Sequence, residues 1–245
     1  MTDERIYKKI YSSDIPVNER EIWRYAGYAG ASEKDEEIKN LLEEVIKELS
    51  GSFDFKVCYR RLALEWRDEL PVMPLECRSA DLAKCLKGSR EAVLFAATIG
   101  HEIDRKIMLY QRISPTKALL AQAYGAERIE ALCDEFCREM EKEAARADSE
   151  LTPRYSPGYG DWPLEIQKQF FEVLDIYHQI GISLGDSLLM RPSKSVTAVF
   201  GIRKREVVCP AATKASEGDE QAHKAGAHNC NKCNLTDCEY RQTME

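Results

Sequence analysis

Residues 151–163 (LTPRYSPGYGDWP) constrain this chain more than any other stretch, because no helix can pass through them. Pro153 and Pro157 fix their own φ and push the residue before each toward extended geometry, so the segment is a pinned turn between two helical patterns. Gly158 and Gly160 let backbone approach another group with no Cβ in the way. Arg154 offers a planar fork of donors suited to a carboxylate or phosphate. Tyr159 and Trp162 supply flat faces for a ring or a cation. Such a turn reads in two ways: as a plain connector whose arginine pairs with a nearby acid, or as a small-molecule clamp.

The elements around it follow from periodicity and caps. Asn18 caps a short helix through Glu19–Ala26, ending near Gly27. Ser32 with Asp35 predicts a helix over 33–49, with Ile38, Leu41, Leu42, Val45, Ile46 and Leu49 at helical spacing. Phe53, Phe55, Val57 and Tyr59 alternate as in a half-buried strand, and Ser79 opens a short helix closed by Gly88. The apolar run 92–98 predicts a central strand, with Gly100 starting the next helix. The longest helical pattern runs from Pro115 to Ala147, where Gly125 marks a break or a close helix contact. Pro163–Ile180 reads as one amphipathic helix and Ser195–Ile202 as a strand. The fold class is α+β, helices packed on an antiparallel or mixed twisted sheet.

The chain divides at Val208. Residues 1–208 form the main domain, a length that buries a sizeable core. Residues 209–245 are a linker without hydrophobic period, ending in a cysteine module. A net charge of −7 with both signs interspersed argues against a nucleic-acid partner. No apolar run is long enough for a membrane span, and the N-terminus lacks a signal-peptide layout, so the expected location is cytoplasmic. In a reducing compartment the nine cysteines are not structural disulfides. Cys58, Cys77, Cys85, Cys133 and Cys137 sit among apolar neighbours and read as small buried hydrophobes. Cys230, Cys233 and Cys238, with Cys209 upstream and His228 adjacent, satisfy a tetrahedral zinc site or an iron–sulfur cluster, and the spacing leaves both open.

The turn from Arg154 to Tyr159 resembles the Arg-x-x-x-Gly-Tyr motif of the activation domain of cobalamin-dependent methionine synthase. The similarity continues through the helix begun by Pro163, residues 181–184 (GISL), and residues 190–196 (MRPSKSV) leading into a strand. It covers residues 115–202 most closely and the earlier residues more loosely. The resemblance implies S-adenosylmethionine as ligand: Arg154 on its carboxylate, backbone from Ser156 through Gly158 to Tyr159 on adenine and ribose, and the Tyr159 ring lining the cobalamin face. It implies an activation subunit, inactive alone, for reductive methylation of cob(II)alamin on a partner corrinoid methyltransferase, with a flavodoxin- or ferredoxin-type reductant. In that chemistry the protein's part is positioning and electrostatics.

The sequence also departs from the family. It has no Asp-x-His-x-x-Gly cobalamin motif, so cobalamin would come with the partner, and His101 and His178 read as surface or cap residues. The tyrosine pair that the family carries after its last strand is missing from residues 198–204 (AVFGIRK). The acidic residue that completes the donor site is not assignable from sequence. Two other readings stand beside the activator: a non-catalytic adaptor capping a corrinoid protein, and a redox protein built on the cysteine tail.

Overall fold

The structure, a computed structural model, describes residues 5–12, 14–28 and 36–205. Its centre is a five-stranded, wholly antiparallel sheet in the order β1-β2-β5-β9-β6, formed by β1 (Tyr7–Ile10), β2 (Lys56–Ala63), β5 (Ser89–Thr98), β9 (Ser195–Lys204) and β6 (Ser149–Leu151). Two hairpins, β3 (Glu65–Arg67) with β4 (Leu70–Val72) and β7 (Ser183–Leu184) with β8 (Met190–Arg191), lie outside it. The helices are α1 (Glu19–Tyr25), α2 (Glu36–Leu49), α3 (Ala80–Leu86), α4 (Glu102–Ile113), α5 (Pro115–Arg146), α6 (Gln167–Leu174) and α7 (Ile176–Ile180).

Helices cover both faces of the sheet, and the strands show why. In β5, Val93, Phe95 and Ala97 enter a core shared with α1, α2, α4 and α5, while Ala92, Leu94 and Ala96 enter a second core shared with α3, α6 and α7. Successive strand side chains point to opposite faces, so a centre strand covered on both sides must be apolar throughout. That is the physical content of the run at 92–98. The first core closes around Phe136 of α5, whose ring lies 5.1 Å from Phe95 and 6.1 Å from Phe200.

The expected caps form. The Asn18 side chain accepts from Glu21 N–H, the Ser79 hydroxyl from Leu82 N–H and the Ser114 hydroxyl from Lys117 N–H. The expected Ser32–Asp35 cap lies outside the described residues. Two expectations need correction. The strand foreseen at 53–59 starts at Lys56 and runs on to Ala63, because Phe53 and Phe55 pack in the helical core ahead of the ladder. The single helix foreseen over 163–180 is instead a 3-10 turn (Leu164–Ile166), α6 and α7, broken at Asp175, which adopts the left-handed conformation (φ 46°). The break turns Ile176 and Ile180 back onto the sheet, where both are buried. Helix α5 does not break at Gly125. Here a Cβ would meet Ile103 at 3.0 Å and the Lys194 stem at 3.1 Å, so the glycine serves close packing.

Candidate functional site

The turn at 151–163 is built as an irregular extension of an edge strand. After β6 pairs Leu151 with Ile202, Thr152 N–H donates to the Gly201 carbonyl (2.9 Å) and the Thr152 hydroxyl accepts from Gly201 N–H (2.8 Å). Tyr155 then bridges Val199 in both directions, at 2.8 and 2.9 Å. Between those two pairings the edge takes one residue more than β9 does, a bulge that re-aims the side chains between them.

Arg154 lies in that bulge and reaches α5. Its Nη2 donates to Glu130 Oε2 (3.0 Å) and Asp134 Oδ1 (2.9 Å), residues four apart on one helix face. Its Nη1 is buried and has no acceptor among the described residues. Burial works against the guanidinium charge, but Cys133, Glu130, Cys137 and Asp134 outweigh it and hold the pKa above the usual arginine value. Asp134 responds the other way. Desolvation, only partly offset by Arg154, pushes its carboxyl from 3.8 up to about 6. Tyr25, at the end of α1, senses one of these acids: burial first, then the Glu130 charge, push its hydroxyl to about 12. The Arg24 guanidinium stacks 4.2 Å from the Tyr25 ring and is held by Glu21.

Beyond Arg154 the turn is tightly wired. Gly158 N–H donates to the Trp162 carbonyl (2.8 Å) and Tyr159 N–H to the Ser156 carbonyl (3.3 Å), so both amides serve the turn itself. Gly158 has φ 92°, the left-handed region its lack of a Cβ permits. Tyr159 is 52 % exposed and presents its ring at the surface. Trp162 does not. It is 1 % exposed, donates Nε1–H to the Glu76 carbonyl (3.0 Å) and packs on Phe170, so it is a core residue rather than the ligand face foreseen.

The chain resembles known proteins in sequence and in fold. None of the curated proteins matches it. Residues 79–205, just over half of the chain, match the profile of the family described as vitamin B12 dependent methionine synthase, activation domain. This chain belongs to that family. A solved structure of the MetH reactivation domain bound to AdoHcy has the same fold, with a TM-score of 0.59 at 14% identity, over 80% of this chain and 78% of that one. The expected family and the expected α+β fold are thus borne out, and the sheet of this activation domain is antiparallel throughout.

Of the sequence-derived site residues, Arg154, Ser156, Gly158 and Tyr159 share one turn. Glu130 and Asp134 were not foreseen as its neighbours. The one signal available was a pair of acids at i, i+4 in the apolar pattern of α5, beside Cys133 and Cys137. The cysteines at 58, 77, 133 and 137 are buried as expected; Cys85 is half-buried, its thiol pointing at the Pro153 carbonyl (3.4 Å). His101 sits at the start of α4, and the exposed His178 ring contacts Asp175 at 2.6 Å. Cys209, His228, Cys230, Cys233 and Cys238 lie outside the described residues, and no metal-binding group of His, Cys, Asp and Glu occurs among the described ones. No helix among the described residues is long and apolar enough to cross a membrane.

Proposed function

We propose that this activation domain binds S-adenosylmethionine at the Arg154–Tyr159 turn and serves reductive methylation of cob(II)alamin carried by a separate corrinoid methyltransferase chain, most simply methionine synthase. The observation that carries the reading is the Arg154 guanidinium. One nitrogen is committed to two carboxylates, while a second, buried, has no acceptor among the described residues. A buried donor without an acceptor is costly, and an α-carboxylate satisfies it. Glu130 and Asp134, bound to the neighbouring nitrogen of the same guanidinium, suit an α-ammonium. An amino-acid zwitterion therefore fits the cluster with each charge opposed.

Ser156 and Gly158 contribute backbone and Tyr159 its exposed ring. Because the Gly158 and Tyr159 amides are engaged within the turn, recognition of the nucleoside falls to carbonyls and the ring face rather than to those amides. Bound cobalamin supplies the methyl-accepting metal. The chain's own task is to hold the donor's amino-acid end rigidly and keep its charges paired away from water. Electrons come from a flavodoxin- or ferredoxin-type reductant. In the tail, Cys230, Cys233 and Cys238 with Cys209 or His228 would hold one zinc or iron–sulfur centre.

The adaptor reading draws on the tyrosine pair not found at 198–204, residues that lie within β9 itself and carry Phe200 into the core. Calorimetry with S-adenosylmethionine separates the two. The activator binds it, and speeds methyl transfer to a cob(II) corrinoid protein supplied with a low-potential reductant. No binding at millimolar donor, or the same rate of methylcobalamin formation without this chain, rejects the activator.

A further inference from the structure

Ser156, Gly158 and Tyr159, proposed to meet the donor, occupy a short span suspended between two anchors. Upstream, Tyr155 is held on β9 by the reciprocal bridge to Val199. Downstream, the Asp161 carboxylate is seated at the start of α3. It accepts from Ala80 N–H at 2.7 Å, from Asp81 N–H at 3.3 Å and from the Ser79 hydroxyl, whose oxygen in turn accepts from Leu82 N–H at 2.9 Å. Ser79 and Asp161 together satisfy the first amides of a helix that has no other partner for them. These contacts, the Ser79 hydroxyl first and the two backbone amides after it, hold the Asp161 carboxyl below the usual aspartate range.

The neighbouring residues complete the seat. Trp162 is buried with its indole N–H on the Glu76 carbonyl, so two consecutive residues of the turn are fixed to the segment leading into α3. The Tyr155 hydroxyl donates to the Tyr159 carbonyl (3.1 Å), tying the upstream anchor to the tip. At Gly160, φ is 53° and a Cβ would crowd the Asp81 carboxylate and the Tyr155 hydroxyl, so a larger residue there would displace both side chains.

We propose that Asp161 is a positioning residue for the donor: its carboxylate, captured by α3, sets the conformation in which Ser156, Gly158 and Tyr159 face the ligand. This role rests on the reading that the turn binds S-adenosylmethionine. Asp161 itself is exposed, and its carboxylate is committed to the start of α3. Without its anchor the turn samples other conformations, and the donor must select the competent fraction, which lowers apparent affinity by that fraction.

The test compares Asp161→Ala and Asp161→Asn with the full chain. In hydrogen exchange without ligand, Asp161→Ala speeds exchange at the Ala80, Asp81 and Gly158 amides, while α5 and β5 remain as protected as before. In calorimetry, Asp161→Ala weakens S-adenosylmethionine binding by roughly five- to twentyfold, and Asp161→Asn recovers part of it because its single amide oxygen keeps one of the two accepting positions. In the coupled reaction, Asp161→Ala raises KM for the donor and leaves kcat at saturation unchanged, a split that general destabilisation does not produce. An Asp161→Ala variant that binds donor as wild type does, or an Asp161→Asn variant as weak as Asp161→Ala, overturns the role. Wild-type protein that binds no donor overturns the donor reading first, and this role with it.

Discussion

Replacing Asp134 with asparagine should make the protein more stable at neutral pH and a poorer binder of donor. The folded carboxyl titrates near 6, raised from 3.8 by desolvation, with Arg154 and Arg138 opposing the rise and Glu130 and Glu141 adding to it. The sign follows from linkage. Between the unfolded and folded values the native state holds the extra proton, so stability falls as pH rises through roughly 4 to 6 and stays reduced above. Two pH units correspond to about 3 kcal/mol as an upper bound. The side chain is 38 % exposed, and solvent screening reduces that to about 1 kcal/mol. Asp134→Asn removes the charge and keeps an acceptor for Arg154. It should therefore gain about 1 kcal/mol at pH 7.5, a rise in Tm of about 3 °C for a domain of this size. The gain should shrink to about a third at pH 4.5. Urea unfolding at both pH values, with calorimetry of donor binding at pH 7.5, reads both effects. A variant no more stable than wild type at pH 7.5, or equally stabilised at both pH values, would refute the reasoning.

Arg154→Ala should weaken S-adenosylmethionine binding by roughly ten- to a hundredfold in calorimetry, and Arg154→Lys should recover only part, because an ammonium cannot hold two carboxylates and a ligand in one plane. Arg128, 1 % exposed, is bound to Glu127 and to the Ile15 and Pro16 carbonyls, so Arg128→Ala leaves the buried Glu127 charge without its cation, with only the Asn18 N–H still donating to it, and should cost about 3–5 kcal/mol in denaturant unfolding. Truncation after Val208 should leave donor binding intact and remove stoichiometric metal from an anaerobic preparation; metal that survives Cys230→Ser with Cys233→Ser would refute the tail assignment.

The sequence by itself determined most of the helices, the central strands β5 and β9, and the pinned turn with its candidate site residues. Caps at Asn18 and Ser79, the apolar run of β5 and the proline-pinned turn are local properties, set by side chains and backbone within a few residues of each other. The family was legible from the Arg154–Tyr159 motif and its downstream context for the same reason. The tertiary structure alone decided what faces what. Arg154 meets Glu130 and Asp134 because a bulge on the sheet edge turns it toward α5, and no periodicity in either segment encodes that crossing. Trp162 and Tyr159 look alike as aromatics in one turn, yet burial on Phe170 and the Glu76 carbonyl take one inward and leave the other at the surface. The break at Asp175 was hidden because an apolar helical pattern runs through it; only the need to return Ile176 and Ile180 to the sheet forces the left-handed residue there. Local energies fix the elements, whereas pairings between elements are chosen by the burial of the whole molecule.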